Sequence, residues 1–447
     1  MKFLDRITSN SRNKNIVHGS FSGILSKGVS GVTGLIAIPI VLNVLGKSDY
    51  ALWMVLVSII NWLQLSDFGL LNGIVNVLAD SFAKKDIDKT KNLMYTGFIC
   101  ALWLAVIGTV LSIFAANFIP YDRMFNISGA VLLLTIKKSF IIICVLFFCG
   151  IPFTLVSKIA YAFQLNHYNN YAQIISSIIN LGIVFVLSFI KPELHWWIFY
   201  SMLIPVVTSI ILFIVIRSEF SNYFSFKKKL VFRKDLLKEI MNISIPLFFF
   251  QMGAMFVNNL ANFVILHAGT LDMVADFNVI WRVQWFIYST GAALTFSLYP
   301  AIREAFVKNE LIWIKKAVNR AILVQGGYAI LCCLPFLLFN GDKLIALWTK
   351  KNLSYPMGFY GWMLLVLYLV ISSVVSVFSE SLKLLDKIKV QIGIVTLNGL
   401  FLNLSLFLFI PLLAIKGVIL SFVLGSSIAL FLLIILYRNF LNSHKYA

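Results

Sequence analysis

Charged side chains are rare along this chain, and the few that fall inside long apolar stretches are the first candidates for chemistry. Asp67 sits in the run WLQLSDFGLLNGIV and Lys27 in ILSKGVSG. An ionised group at the centre of a bilayer costs about 3 kcal/mol or more, so each one kept there marks a cavity, a pathway or a buried partner. Measured from the same end, Asp67 lies about a dozen residues, roughly 18 Å, into its stretch, and Lys27 about nine residues, roughly 13 Å, into its own. Antiparallel packing would bring the two within ion-pair range, where they would either gate a pathway or simply hold two helices together. Gly69 and Gly73, at small-xxx-small spacing, mark a close helix contact in the same run.

Arg282 and Trp285 lie in another apolar stretch. A planar guanidinium grips phosphate oxygens two at a time, and the plainer alternative is an arginine that snorkels to the interface. Lys137 and Lys138 stand at the end of a further stretch, as interface anchors or as cavity cations. Pro39, Pro152, Pro205, Pro246 and Pro335 also fall inside apolar runs, where each removes a helix hydrogen bond. Pro39 and Pro246 are the kink candidates for bending or for static packing. The five cysteines (Cys100, Cys144, Cys149, Cys332, Cys333) all lie in apolar runs without metal-type spacing to histidine. They read as packing residues; no metal or other cofactor is expected.

The elements that must position these groups are transmembrane helices. Of 447 residues, 60% are apolar and 12% charged, too little polar surface to cover a water-soluble globule. The apolar stretches run for about 18 to 28 residues, enough to cross a hydrocarbon core of about 30 Å. Barrel strands alternate in polarity, whereas 141–148 is apolar on every face, so the fold class is all-α and polytopic. The expected spans lie near 18–45, 50–79, 92–118, 133–156, 170–190, 195–216, 241–268, 274–301, 317–339, 357–380, 389–412 and 416–437. The first is too long for a signal-peptide core, so it is expected to stay attached.

This layout places 26 of the 37 Lys and Arg residues on one side and nine on the other, with Lys27 and Arg282 inside spans. By the positive-inside rule both termini are cytoplasmic. The net charge of +19 therefore reads as topology signals facing anionic membrane lipids, with no nucleic-acid partner. Residues 217–240 carry a basic cluster and an amphipathic run (Phe232, Leu236, Leu237, Ile240), which predicts a helix on the cytoplasmic surface between segments 1–216 and 241–447. Sliding the chain by 224 residues lays Phe82 on Phe306, Lys84 on Lys308, Asp86 on Glu310 and Lys91 on Lys315, as a duplicated six-helix lobe would.

One set of residues resembles a known family. Arg12 and Asn13 precede the first span, Leu45, Gly46 and Lys47 end it, and Tyr50, Leu52 and Trp53 follow. Asp67, Phe68, Gly69, Leu70, Asn72 and Gly73 complete the pattern, with Ala51 where glycine is commoner. These first 90 or so residues are similar to the polysaccharide-transporter branch of the multidrug/oligosaccharidyl-lipid/polysaccharide (MOP, MATE-like) exporter superfamily, that is, O-antigen flippases of the Wzx type. The resemblance implies twelve helices in two six-helix lobes, a V around a central cavity that opens to each face in turn. It implies as cargo an undecaprenyl-diphosphate-linked oligosaccharide, crossing a bacterial inner membrane by alternating access. A coupling ion (H⁺ or Na⁺), a glycan polymerase and chain-length factors are the further partners it suggests.

Enzyme chemistry is disfavoured, since there is no phosphate-binding glycine loop, nucleophile triad or large outer loop. A channel would need a repeated filter or charged ring, neither of which is present. The stronger rival is a multidrug or cation antiporter of the same superfamily. Cationic cargo favours acidic cavities, whereas the deepest charges here are Lys27 and Arg282 against Asp67, a balance that favours an anion.

Overall fold

The computed structural model describes residues 11–125, 129–163, 165–219, 232–258, 260–295, 298–307, 310–385 and 388–443, and among them the chain is helical without strands. Helix α1 (Ser11–Leu63) runs for 53 residues but breaks at Gly46, whose φ of 79° only glycine adopts readily. A short 3₁₀ turn, Gln64–Asp67, and two left-handed residues, Phe68 and Gly69, separate it from α2 (Leu70–Ala83). Then come α3 (Ile87–Ala115), α4 (Tyr121–Phe125), α5 (Ala130–Ala162), α6 (Asn166–Ile190) and α7 (Leu194–Glu219). The second half holds α8 (Lys234–Asn258), α9 (Ala261–Ala268), α10 (Leu271–Thr295), α11 (Leu298–Val307), α12 (Leu311–Leu338), α13 (Gly341–Thr349), α14 (Gly358–Leu384), α15 (Ile388–Leu413) and α16 (Ile415–Ser443).

Nine helices among the described residues are long and apolar enough to cross a membrane. One of them, Phe21–Asp67, contains residues 21–45 of the first expected span and 50–67 of the second. The expected seventh and eighth spans do not fall on such helices. The seventh is divided between α8 and α9, and the eighth falls on α10, which carries Asp272, Asp276 and Arg282, and on α11. Residues 220–231, half of the expected surface segment, lie outside the described residues; Leu236, Leu237 and Ile240 of its amphipathic run fall in α8, which is continuous from Lys234 through Pro246.

The 224-residue offset reappears in the geometry. It carries α3 onto α12, α5 onto α14, α6 onto α15 and α7 onto α16, with most ends agreeing within a few residues. The tight loop before α3 closes with Asp86 N–H donating to Ser81 O at 3.1 Å, and the loop before α12 with Glu310 N–H donating to Ala305 O at 2.8 Å, the same bond 224 residues on. Asp86 also caps α3 by accepting from Lys89 N–H, while the longer Glu310 side chain makes no such bond.

Packing divides the chain into two compact units, Met1–Ala37 with Leu56–Gln251 and Ile38–Val55 with Met252–Ala447. In the first, α5 lies against α2, α3 and α7, with Ile74, Leu78, Leu93, Leu155, Ile159 and Ile240 fully buried. In the second, α14 lies against α12 and α16, around Ile302, Ile314, Val318, Val377 and Leu382. The opposite faces of the outer helices, such as Ile178, Phe185 and Phe189 of α6, remain exposed and apolar, as hydrocarbon contact requires.

Candidate functional site

In the first unit the break between α1 and α2 collects the polar groups. Asp67 ends the 3₁₀ turn, 8% exposed. Its carboxylate accepts from Gly69 N–H at 2.8 Å and Leu71 N–H at 3.2 Å, so it caps the N-terminus of α2, where the helix dipole favours an anion. Lys158 of α5 donates to Asn72 Oδ1 at 2.7 Å and acts electrostatically on Asp67. The expected partner, Lys27, is exposed on α1. The expected fourth span ends at 156, short of Lys158; α5 runs on to Ala162, which brings that lysine inside a helix. Its setting between Leu155, Val156 and Ile159, Ala160 was the available signal.

Gly69 and Gly73 do mark a close contact, but with α8 rather than between the first two spans. A Cβ at Gly69 would lie 2.6 Å from Ser244 O, and one at Gly73 would strike the Ser244 side chain and approach Ile240 O. Beside this crossing Lys89 pairs with Glu239 at 2.9 Å. Outside the spans, a side-chain hydrogen bond from Arg233 holds the Asp235 carboxyl below its ordinary range.

In the second unit Arg282 places its guanidinium carbon 5.9 Å from the Trp285 ring centroid, a cation–π pair, and acts electrostatically on the buried Tyr50 hydroxyl. Trp285 is 41% exposed, so one aromatic edge is open beside a cation held by packing. Lys137 donates to Asn117 Oδ1 at 2.9 Å, joining the ends of α3 and α5, and Lys138 is exposed. Pro39 and Pro246 both lie within helices, α1 and α8.

A third cluster escaped the sequence reading. Lys47, the residue after the Gly46 break, donates to Asp276 Oδ1 at 3.0 Å and to Ser354 Oγ at 2.7 Å. The second Asp276 oxygen accepts from Tyr355 N–H at 2.9 Å, and Lys351 donates to Leu42 O at 2.6 Å. Asp276 lay near the expected start of a span, where an acidic residue draws no notice.

Among the described residues no cluster of His, Cys, Asp or Glu is arranged for a metal, and all five cysteines are unbridged. The arrangement is one of capped breaks, deep cations and small-residue crossings in a membrane-spanning helical body, the parts of a carrier. The chain is similar to a Salmonella typhimurium protein named "Putative O-antigen transporter", 21% identical over 92% of this chain and 93% of that one. Its fold is similar to that of a solved structure described as the inward-facing conformation of a multidrug resistance MATE family transporter of the MOP superfamily, with a TM-score of 0.79, 16% identity, and 97% and 99% of the two chains covered. It is also similar to a MOP superfamily transporter from Pyrococcus furiosus whose binding pocket is described as reversed in polarity, with a TM-score of 0.71, 17% identity, and 97% and 96% covered. Polysaccharide biosynthesis proteins match residues 16–306, most of the chain, and the protein belongs to that family.

Proposed function

We propose that the protein is a flippase that carries an undecaprenyl-diphosphate-linked oligosaccharide across the bacterial inner membrane by alternating access. The observation that carries this reading is Arg282, a guanidinium held over Trp285 within α10. A diphosphate supplies the oxygen pairs that an arginine fork grips, and the neighbouring ring offers a flat face to a sugar. Lys158 adds a second deep cation in the other unit, while the Asp67 carboxylate is engaged by backbone N–H groups rather than left for a cationic cargo. The balance of charge supports an anionic cargo over cationic drugs.

In this reading twelve spans form lobes 1–216 and 241–447, joined by the cytoplasmic segment 217–240, with both termini cytoplasmic. Lys27, Asp67, Arg282 and Trp285 serve the transport cycle, Lys137 and Lys138 stand at its outer margin, and Pro39 and Pro246 permit bending. An H⁺ or Na⁺ gradient drives net export, and a glycan polymerase and chain-length factors receive the product. The protein performs no covalent chemistry itself.

The deciding experiment loads proteoliposomes with the lipid-linked oligosaccharide and follows its exposure to a glycan-cleaving enzyme added outside. Protein-dependent exposure is expected. Its absence, together with efflux of a cationic dye from the same vesicles, would replace this reading by that of a multidrug antiporter.

A further inference from the structure

Residues 38–55 pack with the second unit although the chain on both sides of them packs with the first. Lys47 lies in the middle of that segment and supplies its ionic anchorage, to Asp276 at 3.0 Å and Ser354 at 2.7 Å. Asp276 is 2% exposed and Lys47 20%, so a buried carboxylate with both oxygens engaged meets a half-buried ammonium. Ser354 in turn donates to Asp272 Oδ2 at 3.3 Å, which ties the loop after α13 to the first turns of α10. The far end of that loop is fixed by Asp342, which accepts from Met357 N–H at 3.0 Å, Gly358 N–H at 2.8 Å and Trp362 Nε1 at 3.0 Å. Lys47 thus docks on a braced surface.

We infer that Lys47, Asp276 and Ser354 form a releasable latch at the extracytoplasmic end, closed in this structure and opened in each transport cycle. The inference rests on the alternating-access reading. Within α1 the backbone leaves helical geometry only at Gly46, so residues 47–63 form an unbroken helix without Gly or Pro. The junction between the units at Val55–Leu56 falls in the middle of that helix. A rod cannot bend there at low cost, so when the first unit moves, Lys47 moves with it and is drawn away from Asp276. Gly46, immediately before Lys47, is the point at which the preceding helix is free to take a different direction.

The chemistry suits a switch. The pair resists separation because Asp276 would be left buried without its cation. Once water enters, both charges are solvated and their attraction falls to that of an exposed pair. The latch is therefore firm when the outer end is closed and weak once it is wet, which makes its release a two-state event rather than a gradual one.

The test uses the full chain with its five native cysteines replaced. In the first arm Lys47→Cys and Asp276→Cys are joined in membranes by a short, reducible dithiol cross-linker; export is expected to stop and to recover on reduction. The second arm needs no glycan. Met273, buried at the start of α10, becomes Met273→Cys, and its labelling from outside by a membrane-impermeant maleimide is timed. Lys47→Met should raise that rate roughly 5-fold or more, and the exchange Lys47→Asp with Asp276→Lys should bring it back towards the parent. Undiminished export by the cross-linked protein, or a labelling rate indifferent to Lys47→Met, overturns the latch. A labelling response in a protein that exports no glycan supports the latch and refutes the cargo instead.

Discussion

Asp67 and Gly69 are joined by a hydrogen bond of 2.8 Å from the glycine N–H to the carboxylate, and Leu71 adds another at 3.2 Å. An acid that depth in its apolar run alone singles out as a transport group is thus also the cap of α2. The first N–H groups of α2 have no acceptor within their own helix, so a side-chain acceptor satisfies them where the chain restarts.

The cap predicts a graded response. Asp67→Ala should lower the stability of the purified protein by about 1 to 2 kcal/mol, seen as a fall in thermal midpoint in detergent, whereas Asp67→Asn keeps an acceptor and most of that stability. Equal loss in the two variants would show that charge rather than capping holds the break.

The electrostatic partner of Asp67 is open to a double-mutant cycle. Asp67→Asn combined with Lys158→Met should deviate from additivity by about 0.5 to 3 kcal/mol, and combined with Lys27→Met by no more than about 0.5 kcal/mol. The reverse pattern would make Lys27 the partner.

The contact of α2 with α8 makes Gly73 intolerant of any side chain. Gly73→Ala places a methyl against Ser244 and should cost about 1 to 3 kcal/mol, and Ser244→Gly in the same chain should recover part of it. A thermal midpoint unchanged by Gly73→Ala would mean that the crossing is looser than the structure has it.

Much of this was legible in the sequence, because apolar runs of membrane-crossing length have one solution in lipid. The duplication was legible too, since Asp86 and Glu310 close equivalent loops and the offset they suggest carries whole helices onto one another. Contacts were not. Gly69 and Gly73 announced a close crossing, but spacing along one helix does not say which helix fills the groove, and Ser244 lies 171 residues beyond Gly73. Lys158 and Asp276 were overlooked for a related reason: a charge near the end of an apolar run reads as a boundary marker until the helix is seen to continue past it. Lys47 was noticed only as part of a family pattern, and its role depends on a loop some 300 residues away.

Arg282 gives the last prediction, in which charge, shape and support separate. Arg282→Ala should abolish export at normal expression, because it removes the guanidinium that meets the phosphate oxygens. Arg282→Lys keeps the charge but loses the fork, and should retain a fraction of the rate with a weaker apparent affinity for the cargo. Trp285 stands under the guanidinium at 5.9 Å, so Trp285→Phe should preserve most export and Trp285→Ala should lower it, the cation–π support being worth about 0.5 to 2 kcal/mol. The measurement is initial export rate against cargo concentration in proteoliposomes for all four variants. Full activity of Arg282→Ala would remove Arg282 from the cargo path and leave an arginine that only anchors α10.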